Sequence, residues 1–156
     1  MNKKRSSETE VLFGEHLLSG SDEGEAPAVH ITTEQVIVVV DDSPPNLTII
    51  QGILKQMGIS SISFRDGAAA YDFLANAPME DFKLVKAVIS DIHMPKMDGL
   101  ELLHRLRTTE RTKDLPFVFV TADGDKPRVE AAAHLGIQGY ILKPVTSEAI
   151  VSRVTK

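Results

Sequence analysis

The chain has 156 residues, of which 42% are hydrophobic, so it can bury one substantial core but is too short for two ordinary domains. It contains no cysteine, which excludes a disulfide framework, thiolate metal sites and thiol nucleophiles. The formal net charge of -5, without a cluster of lysine and arginine, argues against direct nucleic-acid binding.

Residues 1–34 form a polar, acidic leader. Three basic and seven acidic residues fall here, and the stretch 19–27 is rich in serine, glycine and acidic residues. Such a composition buries too little apolar surface to fold alone, so we expect residues 1–34 to be disordered and residues 35–156 to form the domain. The basic start is followed by polar residues, and no apolar run in the sequence approaches a membrane span. We therefore expect a cytoplasmic protein without membrane insertion.

From Gln35 onward, short apolar runs alternate with amphipathic stretches. The first run, Val36–Val40, is continuously β-branched, as in a central parallel strand covered on both faces. Ser43 and Pro44 then mark the start of a helix that ends at Gly58. The pattern recurs, with predicted strands at 59–64, 87–90, 116–120 and 140–142 and predicted helices at 67–76, 99–107, 128–135 and 146–154. This alternation predicts an α/β fold: a five-stranded parallel sheet with helices on both faces.

Polar side chains follow four of these strands: Asp41 and Asp42, then Asp91, Thr121 and Lys143. All are expected at one edge of the sheet, outside the carboxyl ends of the strands. Three carboxylates there would raise one another's pKa unless a cation neutralised them, and Mg²⁺ is the natural oxygen-binding ion. The Lys143 ammonium and the Thr121 hydroxyl are suited to contact phosphoryl oxygens during in-line transfer.

Three segments carry a family resemblance: Val39–Ser43, Ser90–Leu100 and Leu142–Pro144, which read VVDDS, SDIHMPKMDGL and LKP. Their order and spacing resemble the response-regulator receiver domains of two-component signalling systems, which have a (βα)5, CheY-like and flavodoxin-like fold. The resemblance covers roughly Val36 to Val154. Any one segment alone would be a weak signal, but the combination at the ends of the right strands is specific.

The resemblance implies that Asp91 is the phosphoacceptor. It further implies that Asp42 and Asp91 bind Mg²⁺ directly, that Asp41 does so mainly through water, and that the backbone carbonyl of His93 completes the protein ligands. The donor in the family is a phosphohistidine on a sensor histidine kinase or a phosphotransfer protein. The domain catalyses its own phosphorylation and dephosphorylation, so no turnover of an external substrate is expected.

The resemblance also implies a switch. Lys143 would contact the phosphoryl group, and the Lys143-Pro144 peptide bond is expected to be cis, which proline permits at modest cost. Thr121 would move toward the phosphoryl group while Tyr140 turns inward. The change would alter a docking face made of the fourth predicted helix, the fifth strand and the fifth predicted helix, which would bind a downstream protein or a second copy of the chain.

Two rival functions stay open. A phosphohydrolase with an aspartate nucleophile would carry a second aspartate where His93 stands, and this chain lacks residues for a substrate cap. A receiver-like module that binds partners without phosphorylation would be suspected if an acidic or lysine position were lost, and none is lost. Residues 144–156 can hold one helix and no output domain, so the chain is either a stand-alone receiver or the amino-terminal part of a longer regulator.

Overall fold

The computed structural model describes residues 35–154. The predicted disordered leader, residues 1–34, lies outside the described residues. No helix in the described part of the chain is long and apolar enough to cross a membrane.

Five parallel strands form one sheet in the order β2-β1-β3-β4-β5. The strands are β1 Val36–Val40, β2 Ser60–Phe64, β3 Val85–Asp91, β4 Phe117–Thr121 and β5 Gly139–Leu142. Within residues 35–154 the helices are α1 Pro44–Gln56, α2 Gly67–Asn76, α3 Met79–Phe82, α4 Gly99–Arg107, α5 Lys126–Ala131 and α6 Ser147–Val154. The predicted fold class is confirmed.

Two helical segments differ from the prediction. The short helix α3 was missed because none of its four residues is buried, so it leaves no apolar pattern in the sequence. The predicted helix at 128–135 is instead α5, which ends at Ala131, followed by a separate 3-10 turn at Ala133–Leu135. A second 3-10 turn, Asp123–Asp125, leads into α5. The segment after β4 is therefore less regular than its composition indicates.

The core lies on both faces of the sheet, because alternate residues of each strand point in opposite directions. One face carries Val38 and Val40 of β1 against α2 and α4, and the other carries Ile37 and Val39 against α1 and α6. Every residue of β1 is buried, as its continuous apolar run predicts. The carboxyl ends of the central strands are thereby fixed relative to one another.

Close packing also fixes the loop that leaves β3. The Gly99 N–H donates to the Ile92 carbonyl at 2.8 Å, so α4 begins directly against the end of β3. A Cβ atom at Gly99 would lie 2.2 Å from the backbone carbonyl oxygen of Asp91. Only glycine fits there without moving the strand end that carries Asp91.

This contact predicts opposite effects for two glycine-to-alanine substitutions. Gly99→Ala should lower the free energy of unfolding by about 1–3 kcal/mol, because the backbone of β3 must shift to admit the methyl group. Gly52→Ala, in the middle of α1, should raise it by about 0.5–1 kcal/mol, since nothing lies within 4 Å of its added Cβ. Urea denaturation measures both, and a stabilising Gly99→Ala would contradict this packing.

Candidate functional site

Three carboxylates meet at the edge formed by the carboxyl ends of β1 and β3. Asp41 and Asp42 directly follow β1, and Asp91 is the last residue of β3, the strand paired with β1. One carboxylate oxygen from each lies within 4.8 Å of the others. Asp41 and Asp91 are 1% and 8% exposed, whereas Asp42 is open to solvent. The sheet thus brings the three acidic groups together, and the buried Asp41 and Asp91 side chains cannot rotate out into solvent.

Asp41 has an unsatisfied oxygen. Its Oδ1 accepts a hydrogen bond from the Ser43 backbone N–H at 2.9 Å, but its buried Oδ2 has no hydrogen-bond partner. Burial raises the pKa of Asp41, and the nearby Asp91 raises it further, while the Ser43 N–H and the Lys143 charge oppose the rise. A buried acceptor of this kind needs a proton, a cation or a water molecule as its partner.

Asp91 is held by one backbone donor and one cation. Its Oδ1 accepts from the Ile92 N–H at 2.9 Å and lies 3.5 Å from the Lys143 Nζ. The Ser90 hydroxyl donates to the Asp91 carbonyl at 2.8 Å, which fixes the backbone at the same point. Both side-chain contacts fall on Oδ1, so rotation of the carboxylate is restrained.

Lys143 reaches the site from β5, on the far side of β4. Its backbone N–H donates to the Thr121 carbonyl at 3.0 Å, which ties the end of β5 to the end of β4. The Lys143-Pro144 peptide bond is cis. The Lys143 side chain is 37% exposed, so the ammonium keeps contact with water while it faces Asp91.

The two residues predicted to switch lie in different environments. Thr121 is fully buried at the end of β4, and its hydroxyl donates to the carbonyl of the next residue, Ala122, at 3.0 Å. Tyr140 is half-buried and packs against the core on the face covered by α2, α4 and α5. Thr121 therefore lies at the predicted edge with its hydroxyl bonded to its own loop.

Two contacts across the site were missed by the sequence analysis. The His93 Nε2 lies 2.8 Å from the Asp125 Oδ1, and the Arg128 Nη2 lies 3.6 Å from the Asp98 Oδ2. Each joins the loop after β3 to the segment around α5. The partners are far apart in the sequence, and no local spacing signals such a pair. A surface groove beside them is lined by Asp42, His93, Met94, Pro95 and Asp98.

The comparison with protein families agrees with this geometry. The family model described as the response regulator receiver domain matches residues 37–155. The chain therefore belongs to the response-regulator receiver family.

Individual relatives align with most of this chain and with most of their own length. The chemotaxis protein CheY homolog of Campylobacter jejuni is 34% identical over 119 residues, which span 76% of this chain and 88% of the relative. The chemotaxis protein CheY of Pseudomonas aeruginosa is 32% identical over 120 residues, spanning 77% and 93%.

Solved structures show the same fold. A response regulator receiver protein from Pseudomonas putida matches with a TM-score of 0.67 at 26% identity, covering 78% of this chain and 95% of that one. Full-length FixJ from B. japonicum also matches with a TM-score of 0.67, at 28% identity, covering 79% of this chain and 57% of that one.

The raised pKa of Asp41 predicts how stability depends on pH. The folded protein binds the Asp41 proton more tightly than the unfolded chain does. The resulting stabilisation is fully present below the ordinary aspartate pKa and is lost as the pH rises through the folded pKa. In metal-free buffer at pH 7, Asp41→Asn should therefore raise the urea midpoint, and this gain should shrink as the pH falls toward 4. Asp72→Asn, at an exposed position on α2, is the control, and a lower midpoint for Asp41→Asn at pH 7 would contradict the assignment.

Proposed function

We propose that this receiver accepts a phosphoryl group on Asp91 from the phosphohistidine of a sensor histidine kinase or a phosphotransfer protein. One observation carries the proposal. The Asp91 carboxylate lies at the carboxyl end of β3, within an acidic cluster, with a single lysine ammonium 3.5 Å from its Oδ1. Family membership supports the same role, since the chain carries the receiver domain.

The proposed reaction transfers the phosphoryl group from the histidine nitrogen of the donor to a carboxylate oxygen of Asp91. An Asp91 carboxylate oxygen attacks phosphorus as the phosphorus–nitrogen bond of the donor breaks, and the released imidazole takes up a proton. The product is a mixed anhydride on Asp91. Water later attacks the same phosphorus and the phosphorus–oxygen bond breaks, which restores the carboxylate and releases phosphate. The protein turns over no external substrate in this cycle.

The acidic cluster fits Mg²⁺. Asp42 and Asp91 would bind the ion directly, Asp41 mainly through water, and the backbone carbonyl of His93 would add a further oxygen. The unpartnered, buried Asp41 Oδ2 supports this assignment, because a cation or its water would satisfy it. When bound, Mg²⁺ neutralises charge on the phosphoryl oxygens.

Lys143 and Thr121 are the proposed contacts to the phosphoryl group. Lys143 already faces Asp91, and it offers a compact charge on a flexible stem. Thr121 must give up its hydrogen bond to Ala122 before its hydroxyl can donate to a phosphoryl oxygen. That exchange would leave space for Tyr140 to turn inward.

The docking face in this proposal is formed by α5, β5 and α6. Leu142 of β5 and Val151 of α6 are 40% and 45% exposed, which gives the face apolar residues for a partner. The partner is a downstream protein or a second copy of this chain, and the face does not bind nucleic acid. We place this signalling in the cytoplasm.

Mg²⁺ binding predicts a stability gain that depends on the cluster. Mg²⁺ at a hundred times its dissociation constant should raise the free energy of unfolding by about 2.7 kcal/mol, a shift of several degrees in Tm. Asp42→Asn should reduce the shift strongly. Thermal unfolding with MgCl2, and with NaCl at equal ionic strength, separates binding from screening. An equal shift with both salts would contradict a metal site.

Phosphorylation predicts a specific mass change. Incubation with acetyl phosphate and Mg²⁺ should add a single phosphoryl group, and EDTA should prevent this. Asp91→Asn should form no adduct, whereas the exposed control Asp72→Asn should form it at the parent rate. Intact-protein mass spectrometry measures the adduct.

A different outcome would identify a rival function. If the parent protein is folded and binds Mg²⁺ but forms no adduct, the phosphorylation-independent interaction module is favoured. If Asp91→Asn still forms the adduct, Asp91 is not the acceptor.

A further inference from the structure

The His93 and Arg128 contacts connect the same two segments. His93 and Asp98 lie in the loop between β3 and α4, which directly follows Asp91. Asp125 and Arg128 lie at the start of α5 and in its first turns. The loop after the proposed phosphoacceptor is thus tied twice to the helix that begins the proposed docking face.

The Asp125 side chain bonds to the loop after β3 rather than to its own helix. It occupies the N-cap position of α5, where an aspartate side chain commonly accepts a hydrogen bond from the helix, yet it makes no such cap. Its carboxylate instead bonds to His93 and is 16% exposed, whereas the His93 side chain is 63% exposed, so water reaches the pair from the His93 side. An imidazole with a hydrogen on Nε2 can donate this bond to the carboxylate.

The two carboxylate oxygens of Asp98 have different partners. Its Oδ1 caps α4 by accepting from the Glu101 N–H at 2.8 Å, and its Oδ2 faces the Arg128 guanidinium. The cap holds the Asp98 side chain in place without Arg128. Arg128 can therefore be removed without loss of the α4 cap.

A third contact connects Asp125 to Thr121. The carbonyl of Ala122 accepts both the Thr121 hydroxyl and the Asp125 N–H, each at 3.0 Å. When the Thr121 hydroxyl leaves this carbonyl for a phosphoryl oxygen, the turn that carries Asp125 loses one of its supports. At the same time a phosphoryl group on Asp91 offers new acceptor oxygens two residues from His93.

We propose that the His93–Asp125 hydrogen bond and the Arg128–Asp98 ion pair form a latch that holds α5 against the loop after β3, and that phosphorylation of Asp91 releases it. The release step rests on the proposed function, whereas the latch itself exists in the unphosphorylated protein. Pairs with this exposure change a local equilibrium by a factor of about 1.4 to 5 each. Loss of both should open α5 about two- to 25-fold more often.

Hydrogen exchange of the unphosphorylated full chain tests the latch. In Asp125→Ala/Arg128→Gln, backbone amides at 122–135 should exchange about two- to 25-fold faster than in the parent. The matched control is Lys126→Gln/Glu130→Gln. It also removes one positive and one negative charge from this segment, and it should leave this exchange unchanged. Amides of β1 and β3 report that the fold is intact. Unchanged exchange at 122–135 in the latch variant would overturn the proposal.

A second variant removes the latch from its other side. His93→Ala/Arg128→Gln keeps the charge of Asp125 beside the first turn of α5 and should speed exchange equally. If only the variant lacking Asp125 exchanges faster, the effect comes from the helix terminus and the latch is overturned.

A last measurement tests release. With acetyl phosphate and Mg²⁺, Asp125→Ala/Arg128→Gln should gain its phosphoryl adduct faster than Lys126→Gln/Glu130→Gln. Faster exchange without a faster adduct would overturn the coupling between latch and acceptor. If no variant forms an adduct, the proposed function fails, while the exchange data still decide whether the latch exists.

Discussion

The structure depends on keeping three carboxylates together at one edge of a buried sheet. Parallel pairing of β1 with β3 places Asp41 and Asp91 side by side, and both are almost fully removed from water. Burial raises the pKa of Asp41 and repulsion by Asp91 adds to the rise, while the Ser43 N–H and Lys143 offset only part of it. Keeping these carboxylates together therefore costs folding stability, and a bound cation would relieve that cost.

Backbone contacts, rather than side chains alone, keep this edge rigid. Gly99 lets α4 start against the carbonyl of Asp91, Ser90 binds the same carbonyl, and the Ile92 N–H orients the carboxylate. The segment after β4 is built differently, from a 3-10 turn and a short helix tied to the loop after β3 by two polar contacts. A rigid strand end beside a helix held by two polar contacts suits the proposed switch, because a local charge change can move the helix without unfolding the sheet.

Much of the fold could be predicted from the sequence because its signals are local. The β-branched run at Val36–Val40 and the polar residues after four of the strands predict both the sheet and the edge where the acidic groups meet. α3 could not be predicted, since it has only four residues and none of them is fully buried, and α5 ends earlier than its composition indicates. The His93–Asp125 pair could not be predicted from the sequence for another reason. It joins residues 32 positions apart, and only the folded arrangement of two loops brings them into contact.

The central claim is that Asp91, and neither neighbouring carboxylate, carries the phosphoryl group. Borohydride reduction of the phosphorylated protein converts an acyl phosphate to an alcohol, so the acceptor aspartate becomes homoserine. Peptide mass spectrometry then locates it. The account predicts homoserine at position 91 only, formed in the presence of Mg²⁺ and absent in EDTA. Homoserine at Asp41 or Asp42, with Asp91 unchanged, would contradict it.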